Sequence, residues 1–418
     1  MPKLSPGPGL SAAEVAAHQL ARIREAMVEL VAAEGYGSLK VRDLVARAEV
    51  STRAFYQHFS SKEDCFLQAY QLISRRASRQ LIAAQGKEPS WRKRPYLVFE
   101  EFVRQLEKEP ASARLALVEA YRASEAALAQ VFRAERTFEA MLAEAFSRRP
   151  SGVLIPPLVV QGMVAGVAAV SRRRLLGGQV LDLTNHGEEL VEWALCYPHP
   201  ATAELHRLDR QSIWRDTTLE PYVDSFTGDR ALILRALAKL AAEKGYSGLT
   251  APRVCSAAKV SRRKFETHFD HLEHCYLAAV EQHATEAMSR AARAQTAAAS
   301  EAGGIYRAIA ALTDHVASDA FLAHVCLFND FPCTQDGIRS RERLSRAILE
   351  LLTGGSLFDR TFSQMKDEAS ASSVWALFHH HVVRDRPLRK QISATLSYLV
   401  LAPAIGAPAA LEAIRAEQ

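Results

Sequence analysis

Residues 50–66 read VSTRAFYQHFSSKEDCF, and residues 260–276 read VSRRKFETHFDHLEHCY. Both stretches keep a Val-Ser start, two phenylalanines four residues apart, a histidine before the second of them, and a cysteine six residues beyond. In the first, Ser51 is a good N-cap for the residues that follow it. Phe55 and Phe59 stand at i and i+4, so they fix one face of a short helix in a core. Thr52, Arg53, Tyr56 and His58 then point elsewhere. A two-turn helix anchored by aromatics, with polar residues outward, suits the major groove of DNA. A second N-cap at Ser60 or Ser61 precedes Lys62-Glu63-Asp64, which puts acids in the first turn of the next helix, where the helix dipole favours them.

The duplication extends well beyond these stretches. Gly35-Tyr36 returns as Gly245-Tyr246, an offset of 245 − 35 = 210, and Val50, Phe59, Cys65 and Val164 find Val260, Phe269, Cys275 and Val374 at that same offset. A period of this length is a domain, not a solenoid repeat. The expected organisation is a flexible Pro/Gly-rich N-terminus over 1–14, a helix-turn-helix region over 15–75 and a helical regulatory region over 76–205. A linker over 206–221 leads to a diverged helix-turn-helix region over 222–285 and a second regulatory region over 286–412. All of it reads as helix. Leu20, Ile23, Met27, Leu30 and Val31 form one apolar face at three- and four-residue steps, and Gly35 ends that helix. Pro157 suits a first helical turn. No convincing strand alternation occurs, so the fold class is all-α.

Composition agrees. Of 418 residues 48% are hydrophobic and 24% charged, with a formal net charge of +5, which is compatible with nucleic-acid binding without demanding it. The six cysteines form no CxxC pairs or zinc spacing. No signal peptide and no membrane-spanning stretch is expected, which points to a reduced cytoplasmic protein. GxSxG, P-loop and HExxH motifs are missing, so no enzymatic activity, cofactor or metal is expected.

The stretch 41–70, VRDLVARAEVSTRAFYQHFSSKEDCFLQAY, resembles the DNA-binding helix-turn-helix of the TetR family of bacterial transcription regulators. The family pattern is a turn ending Val-Ser, an aromatic, Tyr-x-His-Phe, a small residue and Lys followed by an acid. The resemblance implies a small N-terminal helix-turn-helix joined to a larger helical region for ligand binding and dimerisation. It places Tyr56, His58 and Lys62 at phosphates, with Ser51, Thr52 and Arg53 at base edges or nearby phosphates and Arg42 at a phosphate. Lys40 stands where a capping Thr is usual: it can reach a phosphate but cannot cap. Glu49 stands where a turn glycine is common.

The second copy keeps Ser261, Phe265, His268 and Phe269, and Thr250 restores the cap ahead of Arg253. Glu266 replaces Tyr56 and Leu272 replaces Lys62, which removes phosphate chemistry, while Arg262, Arg263 and Lys264 add cations suited to guanine or phosphate. Either the second copy reads a different half-site or it is a retired reader kept for its fold.

The resemblance also implies homodimers that pair through C-terminal helices. Two homologous domains on one chain can form that pair internally, through QGMVAGVAAV (161–170) and GEELVEWALCY (187–197) against SASSVWALFHHHVV (370–383) and QISATLSYLVLAPAIG (391–406). Gly162 and Gly166 permit close helix approach. The expected function is a ligand-responsive repressor acting as a covalent pseudo-dimer on a double-stranded DNA operator, with a homodimer of chains as the other assembly. Its effector would be an unidentified, apolar small molecule touching some of Phe99, Phe102, Tyr121, Met163, Tyr306, Phe328 and Trp375. The competing reading is a ligand-sensing or protein-interaction module whose helix-turn-helix units are vestigial. His381 and Asp385 have the i, i+4 spacing of metal ligands, but a helix passing from core to surface explains them better. The basic run SRRRLLGG (171–178) reads as a helix end closed by its glycines, and Cys65 and Cys275 as buried small hydrophobes.

Overall fold

The computed structural model describes residues 11–86, 88–147, 155–197, 204–211, 228–318, 321, 335–357, 364–383 and 392–418. Among them there are helices and no strand. None of the described helices is long and apolar enough to cross a membrane. The residues fall into two compact units, Met1–Arg149 with Val170–Val191, and Pro150–Ala169 with Glu192–Gln418.

The first unit opens with α1 (Ala12–Glu34), α2 (Val41–Arg47), α3 (Thr52–His58) and α4 (Lys62–Gly86). Ser11 and Glu14 form a reciprocal capping box, so α1 begins at Ala12, inside the segment expected to be a flexible end. Ile23, Met27 and Val31 of α1 are fully buried with Leu44, Phe55, Phe59 and Phe66. Beyond them come α5 (Arg94–Lys108), α6 (Pro110–Arg114), α7 (Ala120–Ala123) and α8 (Glu125–Ser147). Between α6 and α7 lies a π-helical turn, Leu115–Glu119, that the sequence does not announce. A wide turn of this kind disturbs the regular backbone ladder, and here the Arg172 Nε donates to the Leu117 carbonyl at 2.7 Å. The helix α9 (Pro157–Leu176) starts at Pro157 as expected, and is followed by α10 (Val180–His186) and α11 (Glu188–Leu195).

The second unit contains α12 (Leu205–Gln211), α13 (Asp229–Lys244), α14 (Ala251–Ala258), α15 (Arg262–His268) and α16 (Leu272–Thr296), then α17 (Glu301–Ser318), α18 (Gln335–Thr353), α19 (Gln364–Val383), α20 (Ser393–Ile405) and α21 (Ala407–Ala416). Every residue of α20 from Ser393 to Ala402 is buried. The helix α12 occupies the start of the expected linker, because Leu205 and Leu208 are fully buried and Asp209 is nearly so.

The compact units do not divide where the expected halves divide. Residues 155–169 and 192–197 belong to the expected first half yet pack with the second unit, and side-chain contacts explain why. A Cβ at Gly162 would stand 2.5 Å from Leu399 Cδ1, and one at Gly166 would stand 2.9 Å from the Ala369 carbonyl oxygen, so only glycine lets α9 approach α19 and α20 this closely. The Trp193 indole donates to Ser370 Oγ at 2.8 Å, and the Tyr197 hydroxyl donates to the Leu399 carbonyl at 2.7 Å. The Tyr398 hydroxyl donates back to the Tyr197 carbonyl at 3.0 Å. These polar groups are buried and mutually satisfied, which ties the segments together more specifically than apolar contact alone.

Candidate nucleic-acid interface

The local chemistry of α2–α3 follows from its turn. Glu49 sits in the left-handed region at φ 49, where the family pattern would place glycine. Ser51 is extended, and its Oγ accepts from the Ala54 N–H at 3.1 Å, which starts α3. Phe55 and Phe59 are buried with ring centroids 5.4 Å apart, so α3 cannot roll. Its outward face is then Thr52, Arg53, Tyr56 and Gln57, all exposed, with Tyr56 55% exposed despite its aromatic ring. His58 is half-buried beside Phe59. Lys40 and Arg42 are also exposed. Lys40 gives α2 no side-chain cap; the Asp43 carboxylate accepts from the Lys40 N–H at 2.9 Å instead.

One expected phosphate contact is placed differently. The Lys62 ammonium donates to the carbonyls of Tyr36 and Leu39 at 3.0 and 2.8 Å and lies 4.1 Å from the centre of the Tyr36 ring. Burial lowers its pKa. Lys62 therefore ties the α1–α2 loop to α4, and in this arrangement its donors are spent on the protein.

A second tie was not read from the sequence. Arg22, 6% exposed, donates to the carbonyls of Ala48 and Glu49, the latter at 2.8 Å, and so holds the turn between α2 and α3 against α1. The only sequence signal was a cation beside an apolar helical face, and its partners are backbone groups that no residue pattern names.

The unit α13–α16 repeats the geometry. Lys259 takes the left-handed position at φ 54, Ser261 Oγ accepts from the Lys264 N–H at 3.3 Å, and Phe265 and Phe269 are buried with centroids 5.6 Å apart. Thr250 caps α14 by accepting from the Arg253 N–H at 3.4 Å. The Arg253 guanidinium also donates to the Gly248 carbonyl at 2.9 Å. The start of α16 is capped by imidazoles: His271 Nδ1 accepts from the His274 N–H at 3.0 Å, where Ser61 accepts from Asp64 in the first unit. Arg262, Arg263, Lys264 and His268 are exposed. Two of them are paired, Arg262 with Glu266 at 2.7 Å and Lys264 with Asp229 at 2.9 Å.

Residues 23–69 match the model of a family described as bacterial regulatory proteins, tetR family. The chain carries a TetR-family DNA-binding domain. That match spans the second half of α1, all of α2 and α3 and the start of α4, and it contains the exposed face of α3. Among curated proteins, none matches the chain.

Outside the TetR-type domain, the candidate effector contacts are dispersed. Phe99 and Phe102 are half-buried on α5 with rings 6.1 Å apart. Tyr121 is buried; its hydroxyl donates to Glu135 at 2.7 Å, and the Arg172 guanidinium lies 3.6 Å from the ring centre. Met163 and Tyr306 are buried and belong to the second unit, as does the half-buried Trp375. Phe328 lies outside the described residues, as do Cys326, Cys333, Asp385 and the side chain of His381. No cluster of metal-ligating groups occurs among the described residues. Arg172 and Arg174 of the basic run are engaged within the first unit, Arg172 on Leu117 and Tyr121 and Arg174 with Asp182 at 3.5 Å. Cys65 and Cys275 are fully buried, and desolvation pushes both thiols up to about 12, far from the reactive thiolate range.

Proposed function

We propose that the chain is a ligand-responsive transcriptional repressor whose two halves pair with each other to make one DNA-reading body. The observation that carries the DNA-binding reading is the exposed polar face of α3, locked by Phe55 and Phe59 inside the matched segment. The reading of two homologous halves is supported by element boundaries at the repeat offset. The helix α15 starts and ends 210 residues after α3 (262 − 52 and 268 − 58), and α16 does the same relative to α4 (272 − 62 and 296 − 86).

An internal pseudo-dimer is supported by the contacts of α9, Trp193 and Tyr197 with α19 and α20. In the resemblance noted above, such C-terminal helices form the dimer bundle. A ligand response is supported by a link, within the first unit, between the π-helical turn and the helix-turn-helix. Glu119, on the π-helical turn, accepts from the Tyr36 N–H at 3.2 Å, and Tyr36 is the residue Lys62 holds. A ligand that shifts this turn would move the loop between α1 and α2.

The test is a fluorescence-anisotropy titration against duplexes tiled from upstream of the chain's own gene, at two salt concentrations. Tight, salt-weakened binding to one tile is expected. Binding to every tile no better than to random DNA would contradict a sequence-specific regulator acting there.

A further inference from the structure

The two recognition helices share one cation at the same register, Arg53 in α3 and Arg263 in α15, and both are exposed. Each further cation of α15 has an acid beside it, one on α15 itself and one on α13. Relative to the first copy, the second gains cations at Arg262, in place of Thr52, and Lys264, in place of Ala54. It also gains carboxylates at Glu266, in place of Tyr56, and Asp229, in place of Gln19. The fold joins each new cation to a new acid: Arg262 Nε to Glu266 Oε1 at 2.7 Å and Lys264 Nζ to Asp229 Oδ2 at 2.9 Å. Asp229 stands in the first turn of α13, where the helix dipole stabilises its charge.

We infer that the second recognition helix is charge-compensated from within: two of its three cations are held by acids, and Arg263 is its one uncompensated cation. This inference rests on the DNA-binding reading proposed above. A cation adds affinity by neutralising a phosphate and releasing its counterion. Arg262 and Lys264 already face carboxylates, so approaching a phosphate means either breaking those pairs or carrying a like charge toward the backbone. The first unit has no such pairs on α3; Tyr56 and Gln57 are uncharged and Arg53 is free to act. Each recognition helix therefore offers DNA one uncompensated cation, Arg53 or Arg263, and α15 holds two more behind its carboxylates. The α15 helix contributes a single arginine, whose guanidinium geometry suits a guanine edge.

The test uses the full chain and a labelled duplex of random sequence, titrated at several salt concentrations, with the double variant Asp229→Asn, Glu266→Gln beside the wild type. All four paired side chains are at least one-third exposed, with the pair partners at 33% to 74%, and surface ion pairs of this kind add little to folding, so the variant keeps its fold. Circular dichroism checks this. The variant is expected to bind several-fold tighter, and its salt slope should steepen by about 2, close to 0.9 for each freed cation. Weaker or unchanged binding by the variant, with wild-type binding intact, would overturn the inference and leave the DNA-binding reading standing. Absence of salt-dependent binding by both proteins would overturn both.

Discussion

Arg22 and Lys62 do the same job from opposite sides of the first reading head: each spends a cation on backbone carbonyls that would otherwise be unpaired. Arg22→Ala removes the donor for two carbonyls and is expected to destabilise the first unit by about 1–3 kcal/mol, seen as an earlier transition in a urea melt. A change near zero would mean that water replaces the guanidinium. At the equivalent position the second copy has Leu232, 45% exposed, so this tie belongs to the first copy alone. The left-handed residues offer the opposite experiment. Lys259 adopts φ 54 without a glycine's freedom, and Lys259→Gly is expected to stabilise the second unit by about 1 kcal/mol, read as a higher Tm. Phe55, Phe59 and Ser51 were legible from spacing, because their partners are neighbours in the chain. Arg22 and the inward turn of Lys62 were not, since their partners are carbonyls of loops 23 to 27 residues away in sequence that reach them only on folding.

Among elements, α3, α4 and α15 lie where caps and aromatic spacing put them, while α16 starts behind an imidazole cap, His271, that the sequence reading did not name. The π-helical turn and α12 were missed, the first because it depends on Arg172 reaching a carbonyl from a distant helix, the second because a polar, Pro-flanked stretch hides two buried leucines. The α12 helix has a function within its unit. Asp209 accepts from the N–H groups of Ala394 and Thr395 at 2.9 and 3.1 Å, and so caps the fully buried α20. Burial raises its pKa to about 7, outweighing the hydrogen bonds that lower it. The folded state thus holds this proton more tightly than the unfolded chain, whose aspartate has a pKa of about 3.9. Stability from this group is complete below about pH 4 and is lost as the pH rises to about 7. Asp209→Asn keeps an acceptor and removes the titration. The stability of the wild type relative to this variant should fall across that window in pH-resolved chemical melts; a difference independent of pH would show that the carboxyl is ionised throughout.

For the whole molecule, the helical fold class was legible in the sequence but the division into compact units was not. The proposed two-half reading places a boundary between residues 205 and 222, whereas α9, Trp193 and Tyr197 reach across it to α19 and α20. Sequence similarity reports descent, and packing follows whichever surfaces complement each other. Gly166→Val tests that packing, because a Cβ there would stand 2.9 Å from the Ala369 carbonyl oxygen and 2.7 Å from the Trp193 ring. Overpacking against backbone is expected to cost about 1–3 kcal/mol or more, seen as a lowered Tm of the second unit. An unchanged Tm would mean the helices can separate freely. The central claim is that one chain supplies both reading heads of a DNA-binding pair. Light scattering of the chain bound to its operator duplex measures this directly. The account predicts one chain of 46.1 kDa per duplex; a complex holding two chains would contradict it.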